Sequence, residues 1–547
     1  MDTLSTLTLL AIPTLPLAVG AVLLLGRPAL PTAARWAVRG AVLTLAAGVA
    51  LLPHLVGGPV AAALVLPGGG SLGLVADRLG VVLVLLTATV GLVVQAFAAR
   101  AMRDDPAGTR FLALASLLTA TNLLVALAGS LALLTVAWVA TSVVVVALVG
   151  LRADRRAGAR AARQTRRCLM VGDLALVAGL GLTAATVGAL PLPATAAAAD
   201  AVGRASLPLA GGELPVLPIV AVLLMTAGVA RSALVPLHRW LPSTLAAPTP
   251  VSALLHAGVI NGAGVLLLRT APVIGASRLA MTLLFAVGVA TALLATAVML
   301  VRSDVKGALA WSTAGQMGFM VVQVAVGAFA AALFHLVGHG LYKAASFLGA
   351  GEAISAHRAA RHLPRTSPVC GRRTRLLAAT LVPLAALGLA LVLVRPTLDP
   401  AKLLLVLVFG GWTASRLVHG ALQAAPTWRT LALAAPAATL ATTAYVAVIT
   451  AVDGFLAPVL PAAVPGAVGP VTLALVIATL ALAVAAVRLL PGALGDRLRR
   501  RVYAGLVAAS TPPIVARRPA SVRRRGPVPP TVSPATPPTQ PTLEAAP

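Results

Sequence analysis

Residues 231–255 read RSALVPLHRWLPSTLAAPTPVSALL, and the interruption within this apolar stretch decides how the chain is built. Four prolines fall inside it, at Pro236, Pro242, Pro248 and Pro250. Because proline removes a backbone donor and kinks or stops a helix, the stretch predicts a broken helix. Inside a membrane, a break persists only where protein or water satisfies the freed backbone groups. Discontinuous helices of this kind mark ion or substrate sites in transporters.

The sequence on both sides of the break consists largely of long apolar runs. The chain has 547 residues, of which 59% are hydrophobic and 10% are charged, and a soluble protein of this length needs far more charge. A membrane-spanning helix takes ~20 mostly apolar residues, and runs such as Leu79–Ala99, Met281–Val301 and Val471–Leu490 reach that length. Hydropathy and loop charge predict an all-α polytopic membrane protein with about 15 spans.

The net charge of +28 could indicate nucleic-acid binding, but its distribution argues against that function. Arginines crowd into alternate loops, and no basic face is interleaved with aromatic residues. The positive-inside rule places the clusters Arg152–Arg167 and Arg358–Arg375 in the cytoplasm. We therefore expect a plasma-membrane protein with its N-terminus outside and its C-terminus in the cytoplasm.

The chain divides into four parts by composition and motif. We expect N-terminal membrane helices over 1–75, a translocation core over 76–351 and C-terminal membrane helices over 352–510. The segment 511–547 is rich in Pro and Arg and cannot bury a core, so it is predicted to be a disordered cytoplasmic tail.

Three ionisable residues lie in the apolar segment FHLVGHGLYKAASFL, at His335, His339 and Lys343. Their spacing of four residues places them along one helix face, ~12 Å from end to end. Burying such groups in lipid is costly unless they are paired or hydrated, and histidine titrates near neutral pH. A water-bridged file of this kind can pass protons along the membrane. Two core histidines with Lys343 reaching an interface, or a zinc site that lacks a third nearby ligand, are the alternatives.

Further ionisable residues extend the candidate pathway. His256 follows the broken stretch, Arg231 ends the apolar run before it, and Lys306 lies near a helix start. Arg231 stays charged, so its role would be electrostatic, and Asp173 can pair with a nearby Arg or Lys. Each of them also has a plain structural interpretation, as a hydrogen-bonding or interfacial residue, and so does Asp77 as a helix cap. The polar residues Ser312, Thr313, Gln316 and Gln323 could hold water in the same layer.

The sequence contains no motif for catalysis or for a redox centre. It has no P-loop, no dinucleotide fingerprint and no serine-hydrolase order, and Cys168 and Cys370 belong to no metal or disulfide pattern. We expect a transporter subunit without a cofactor of its own and not an enzyme.

Several motifs resemble the proton-conducting subunits of respiratory complex I and the Mrp antiporters. The stretches LPSTLAAPTPVSALLHAGVINGAGVLLLRTAP, DVKGALAWSTAGQMGFM, LFHLVGHGLYKAASFL and TRRCLMVGDLAL are similar to consecutive family signatures. The resemblance implies two inverted five-helix repeats, each with a broken helix, and two half-channels joined by a central polar axis. Arg231 would replace the family's broken-helix lysine, whereas His256, His335, His339 and Lys343 would match its central-axis groups.

The sequence differs from the complex I and Mrp motifs at two positions, and these differences make one branch of the family a better match. Val139 stands in place of the family's fifth-span glutamate, and the later lysine motif is missing from LVPLAALGLALVLV. HAGVINGAG and RSALVPLHRWL look more like DabB, the membrane subunit of a two-component inorganic-carbon transporter. That resemblance implies a large peripheral DabA-like partner with a zinc site, which acts on CO2 or bicarbonate while this chain conducts H+ or Na+.

Three other functions remain open at the level of sequence. A proton-pumping subunit of complex I or of a membrane hydrogenase would make the chain part of a translocase. A subunit of an Mrp-type Na+/H+ antiporter and a purely structural membrane scaffold are the others. Neighbouring genes would distinguish these functions, since each implies a different set of partner subunits.

Overall fold

The computed structural model describes residues 3–65, 71–188, 192, 196–209, 212–352, 372–425, 427–461, 464–489 and 492–510. Residues Met1–Ser510 form one compact unit. The tail and the arginines at 358–365 therefore lie outside the described residues. The boundaries expected at residues 75 and 351 stay predictions.

The described part of the chain is built almost entirely from helices. In chain order they are α1 Thr3–Gly26, α2 Leu30–Ala50, α3 Arg78–Ala101, α4 Gly108–Ala126, α5 Leu131–Val149, α6 Arg156–Val187, α7 Ala196–Arg204, α8 Val216–Arg231, α9 Trp240–Ser243, α10 Thr249–Ala257, α11 Gly262–Arg269, α12 Ala271–Ala276, α13 Arg278–Val301, α14 Val305–Ala325, α15 Phe329–Leu348, α16 Arg372–Val394, α17 Pro400–Ala424, α18 Trp428–Leu456, α19 Pro470–Leu489 and α20 Gly492–Ser510. Short 3-10 turns lie at Leu52–Gly57, Gly150–Arg152, Thr244–Ala246 and Val259–Asn261.

Two small antiparallel hairpins complete the secondary structure. β1 Val60–Val65 pairs with β2 Ser71–Ala76, and β3 Ser206–Leu209 pairs with β4 Gly212–Pro215. The first hairpin leads directly into α3, where the Asp77 carboxylate accepts a hydrogen bond from the backbone N–H of Gly80 at 2.6 Å. Asp77 thus caps the helix, because it satisfies a donor that the first turn leaves free.

The predicted fold class, an all-α polytopic membrane protein, is confirmed. Within the described residues, 11 helical stretches are long and apolar enough to cross a membrane, and the helices Val216–Arg231 and Pro470–Ala485 are apolar but shorter. The expected number of about 15 spans is not confirmed. α14 and α15 are 21 and 20 residues long but are not among the 11, because their polar side chains lower the mean hydropathy. The inverted relation between two repeats stays a prediction.

The predicted break in the segment 231–255 is present. α8 ends at Arg231, and only the four-residue α9 and a 3-10 turn lie before α10 begins at Thr249. Side chains bind the freed backbone groups: Trp240 Nε1 donates to the carbonyl of Ala230 at 2.9 Å, and Thr291 Oγ1 accepts from the N–H of Val235 at 3.0 Å. The break is therefore stabilised by protein contacts, which is the condition for irregular backbone at membrane depth.

Candidate functional site

The end of α8 carries a buried cluster around the Arg231 guanidinium. Arg231 Nη2 donates to the carbonyl of Trp138 at 2.8 Å and to Ser142 Oγ at 2.9 Å, and it lies 3.4 Å from Asp173 Oδ1. The guanidinium also stacks over the Trp138 ring, 4.1 Å from its centroid. Ser142 donates to the same Asp173 oxygen at 2.8 Å. Helices α5, α6 and α8 thus meet at one ion pair.

The helix α5 has no carboxylate beside Arg231, because Val139 stands at the position of the glutamate that the family resemblance implied. Val139 is on α5, and the neighbouring Trp138 and Ser142 supply only neutral contacts to Arg231. The negative charge comes from Asp173 on α6 instead. Because an unpaired charge buried at this depth costs several kcal/mol, the pair explains how Arg231 is tolerated when its side chain is only 3% exposed.

A glycine creates the space that Arg231 needs. A Cβ atom placed on Gly262 would lie 2.4 Å from Arg231 Cγ, which is far inside van der Waals contact. Gly262 is also the first residue of α11, after the 3-10 turn Val259–Asn261. The glycine of the HAGVINGAG motif therefore lets the two interrupted helices approach each other.

The segment from Thr249 to Arg269 contains a second, smaller interruption, which the sequence analysis did not predict. α10 ends at Ala257 and α11 begins at Gly262. Asn261 Nδ2 donates to the free carbonyl of Ala257 at 2.8 Å. The signal in the sequence was present, since glycines flank an asparagine in HAGVINGAG, but we interpreted this segment as one continuous apolar run.

His256 lies at the last turn of α10 and is fully buried. Its Nδ1 is 3.0 Å from Thr313 Oγ1 on α14, and its ring packs on Phe347 of α15 with centroids 4.4 Å apart. His256 Nε2 is buried and has no hydrogen-bond partner among the described residues. The imidazole is thus fixed through one nitrogen and keeps the other for a mobile partner such as water.

His335, His339 and Lys343 lie along one face of α15 and are called the histidine file below. A polar side chain from a neighbouring element binds each of them. His335 Nδ1 is 3.0 Å from Gln323 Oε1, and His339 Nδ1 is 3.2 Å from Asn261 Oδ1. Lys343 Nζ donates to Ser312 Oγ at 2.8 Å. The His335 and His339 rings have centroids 6.1 Å apart, a gap that one bridging water can span.

Lys306 lies at the start of α14, apart from the histidine file. Its Nζ donates to Thr249 Oγ1 at 2.6 Å, where α10 begins. Asp304 caps α14 just before it by accepting from the N–H of Gly307 at 2.7 Å. Lys306 and Thr249 therefore join the ends of the two helices that carry Thr313 and His256.

A small cavity of about 40 Å³ lies between the Arg231 cluster and the histidine file. Thr87, Thr119 and Asn122 supply polar side chains to its wall, which also contains Arg231 and Asn261. A cavity of this volume has room for a water molecule. The cavity adjoins both Arg231, which contacts Asp173, and Asn261, which contacts His339.

A second buried ion pair was missed by the sequence analysis. Arg269 Nη1 donates to Asp77 Oδ2 at 3.0 Å, and Arg269 Nη2 also contacts the carbonyl of Ala126. The side chains of Arg269 and Asp77 are 1% and 6% exposed. The arginine in the apolar run GVLLLR was the available signal. The pair ties α11 to α3 and α4 and lies outside the histidine file.

Within the described residues, no three His, Cys, Asp or Glu side chains are grouped closely enough to hold a metal ion. The groups brought together are instead an Arg–Asp pair, three imidazoles and an amine, with hydroxyl and amide partners. Such groups exchange or stabilise protons and can hold water in a file.

Comparison with known proteins identifies the segment that holds these groups. Residues 128–391 match the family described as NADH:quinone oxidoreductase/Mrp antiporter, transmembrane. These residues belong to that family. The antiporter domain so defined contains Asp173, Arg231, His256, Lys306, His335, His339 and Lys343.

Relatives of the antiporter domain include two kinds of membrane subunit. The chain is 36% identical over 348 residues to the probable inorganic carbon transporter subunit DabB1 of Halothiobacillus neapolitanus, a match that covers 61% of this chain and 62% of the relative. It is 34% identical over 297 residues to NADH-quinone oxidoreductase subunit L of Mycobacterium tuberculosis, covering 53% of this chain and 45% of the relative. The matches thus span less than two thirds of either relative.

A solved structure shares the fold of the antiporter domain and of the helices around it. The Mrp complex from Dietzia sp. DQ12-45-1b aligns with a TM-score of 0.58 and 22% identity, covering 93% of this chain and 61% of that chain. At this identity the likeness concerns the fold alone. Residues 128–391 thus share a transmembrane domain with complex I and Mrp proteins, and the chain is related in sequence to DabB1 and to NADH-quinone oxidoreductase subunit L.

Proposed function

We propose that this chain is the membrane subunit of an energy-coupled inorganic-carbon transporter. In this function it conducts H+ or Na+ through a buried axis, which consists of His256, His335, His339 and Lys343. The observation that carries the proposal is the arrangement of His256, His339 and Lys343 within one buried layer, each bound to a neutral polar side chain. Such a layer costs free energy in lipid and is kept where ions or protons must pass.

The axis is built so that its groups can exchange protons with water. His256 and His339 each use Nδ1 for a protein contact, and their Nε2 atoms have no partner among the described residues. An imidazole held in this way can take up and release a proton at its free Nε2, while Nδ1 keeps its protein contact. Lys343 follows His339 by one helical turn and ends the file.

The Arg231–Asp173 pair would supply the charge that influences protonation of the histidines. Arginine does not deprotonate, so this pair cannot relay a proton by titrating at Arg231. It can act by a change in its own separation, because a shift of Asp173 away from Arg231 exposes a positive charge to the small cavity that reaches Asn261. Charge movement would then bias the protonation of His339.

We assign the carbon-transport role from the relatives and not from this chain's own chemistry. Similarity to DabB1 supports a two-component system, in which a DabA-like peripheral partner would hold the zinc site and handle CO2 or bicarbonate. This chain would lie in the plasma membrane, bind no cofactor and contribute only ion flux. A specific observation favours a second function: 34% identity to NADH-quinone oxidoreductase subunit L supports a proton-pumping subunit of a redox complex.

Co-expression tests whether carbon uptake requires both this chain and a DabA-like partner. The chain and a DabA-like partner, expressed together in a host without carbonic anhydrase, should restore growth in air, whereas either protein alone should not. A His339→Leu variant should abolish rescue and still co-purify with the partner, because His339 is buried inside the membrane subunit. A fall in carbon uptake when a protonophore collapses the proton gradient indicates H+ as the driving ion, and a fall upon sodium removal indicates Na+.

The same experiment can reject the proposal. Growth restored by the partner alone would show that the membrane subunit is not needed for carbon uptake. Co-purification of this chain only with quinone-reducing subunits would support the redox-pump function instead.

A further inference from the structure

A cavity beside the histidine file lies between α14, α15, α17 and α18. Its volume is about 230 Å³, and its polar lining consists of Gln316 and Gln323 on α14, His335, His339 and Tyr342 on α15, and Tyr445 on α18. Tyr342 is 59% exposed, so the cavity opens to the surface on its side. Tyr445 lies beyond the matched family segment, which ends at residue 391. The C-terminal helices thus contribute a hydroxyl to the wall that the histidines line.

Three buried polar atoms in this wall have no hydrogen-bond partner among the described residues. They are Gln316 Oε1, His339 Nε2 and Tyr445 Oη. A buried polar atom without a partner costs ~1–3 kcal/mol, and native proteins rarely carry several side by side. Their concentration around one cavity indicates that the cavity holds a polar occupant.

The chemistry of the wall selects water as the occupant. Amide, imidazole and phenol groups donate and accept hydrogen bonds, and no carboxylate lines the cavity to neutralise a bare metal cation. A water molecule occupies ~30 Å³ of liquid volume and needs two to four polar partners. The cavity therefore has the volume and the partners for a small water cluster.

Aromatic packing fixes the position of the Tyr445 hydroxyl. The Tyr445 ring lies 5.7 Å from the Phe409 ring and 5.9 Å from the Phe334 ring, between centroids. Phe409 in turn stacks on Phe319 at 5.2 Å, and Phe319 contacts the His335 ring at 5.6 Å. This chain of rings holds the phenol at the wall, so its hydroxyl cannot swing away without disturbing His335.

We propose that Tyr445 is a positioning residue that orders a water cluster in this chamber, and that the cluster connects His339 to the C-terminal helices. The inference rests on the proposed ion-conducting function and adds to it a branch of the pathway that α18 completes. The Tyr445 hydroxyl donates to and accepts from the water, while His339 Nε2 exchanges protons with it.

Cysteine labelling tests for water in the chamber without any need for transport. Gly338 lines the chamber, whereas Gly388 on α16 does not, and a Cβ on either glycine meets no atom within 4 Å. In a background with Cys168 and Cys370 replaced by Ser, a charged methanethiosulfonate should modify Gly338→Cys and leave Gly388→Cys unmodified. Equal reactivity at both positions, or no reaction at Gly338→Cys, overturns the hydrated chamber.

The phenol is tested by Tyr445→Phe, which keeps the ring packing and removes the hydroxyl. Transport by the complex with its partner should fall about threefold to tenfold, the loss expected for one neutral hydrogen bond, and modification of Gly338→Cys should slow in the same background. Tyr503→Phe, at a tyrosine that is 59% exposed on α20, should change neither. Unchanged transport and labelling in Tyr445→Phe would overturn the role of Tyr445.

Lys343→Ala separates this inference from the proposed function. If Lys343→Ala abolishes transport while Tyr445→Phe has no effect, only the Tyr445 branch is wrong. If Lys343→Ala transports normally, the ion-conducting function fails. The labelling of Gly338→Cys still decides whether the chamber holds water.

Discussion

Asp173 on α6 and Arg231 at the end of α8 form an ion pair whose closest atoms, Oδ1 and Nη2, lie 3.4 Å apart. The separation is longer than that of a strong charge-assisted hydrogen bond, which is ~2.7–2.9 Å. Ser142 Oγ lies between the two groups and contacts each at less than 3 Å. The Ser142 hydroxyl therefore bridges the carboxylate and the guanidinium. Asp173 and Arg231 could move apart while each keeps its hydrogen bond to Ser142.

Replacement of Arg231 should separate the electrostatic role from the fold. Arg231→Met should abolish transport and lower the free energy of unfolding by ~3–5 kcal/mol, because Asp173 would remain buried without its partner. The double variant Arg231→Met/Asp173→Asn should recover much of the stability but none of the transport. Thermal unfolding of the purified protein and uptake by the complex measure the two effects.

Arg231→Lys provides the matched comparison. A lysine keeps the charge but cannot both stack on Trp138 and donate to the separate acceptors that Arg231 contacts. We expect stable protein with uptake reduced about tenfold, the equivalent of ~1.4 kcal/mol. Full uptake by Arg231→Lys would show that the charge alone is sufficient and that the stacked geometry has no role.

Lys343 should be essential for transport and dispensable for membrane insertion. Lys343 Nζ donates to Ser312 Oγ at the end of the histidine file. Lys343→Ala therefore removes the amine that we expect to exchange protons with His339. Lys402→Ala is the matched control, because Lys402 pairs with Asp399 at the start of α17 and lies outside the file. Uptake corrected for membrane content measures the difference, and near-normal uptake by Lys343→Ala would contradict the relay.

The Asp77–Arg269 pair should contribute to stability and not to ion flux. Asp77→Asn leaves the Arg269 guanidinium buried without its counter-charge, for which we expect a loss of ~3–5 kcal/mol. Arg78→Gln, at the next residue, should have a much smaller effect, because Arg78 contacts the carbonyl and the ring of Phe455 and forms no ion pair among the described residues. Detergent-solubilised protein should show the difference as a lower midpoint of thermal unfolding. A stable but inactive Asp77→Asn protein would instead place the pair on the ion pathway.

The orientation predicted from loop charge can be tested by thiol accessibility. The Arg152–Arg167 cluster and the Arg358–Arg375 cluster are expected in the cytoplasm. Arg160→Cys should react with a membrane-impermeant thiol reagent only after permeabilisation of the cells. Gly203→Cys lies beyond α6 on the opposite side, and its Cβ meets no atom within 4 Å, so it should react in intact cells. The reverse pattern would invert the topology.

Much of the fold could be predicted from local sequence, because lipid imposes the same requirement on every span. Apolar runs of sufficient length predict the bounds of α3 and α13 to within three residues, and the prolines of 231–255 predict the end of α8. The small break between α10 and α11 was missed, because its glycines and Asn261 interrupt an apolar run by only a few residues. The side chain of Asn261 replaces the lost backbone contact, and that compensation is visible only in three dimensions.

The sequence by itself determined which residues could carry ions, because a His, Lys, Arg or Asp in an apolar run is too costly to be there without a partner. Only the tertiary structure decided which partners they have. Contacts between helices far apart in the chain bring Asp173 to Arg231, Asn261 to His339 and Tyr445 to the chamber beside His335. Such contacts depend on how helices pack, whereas hydropathy and spacing report only what each helix can bury. The residue pattern therefore determined which ionisable groups are available, and helix packing determined which of them contact one another.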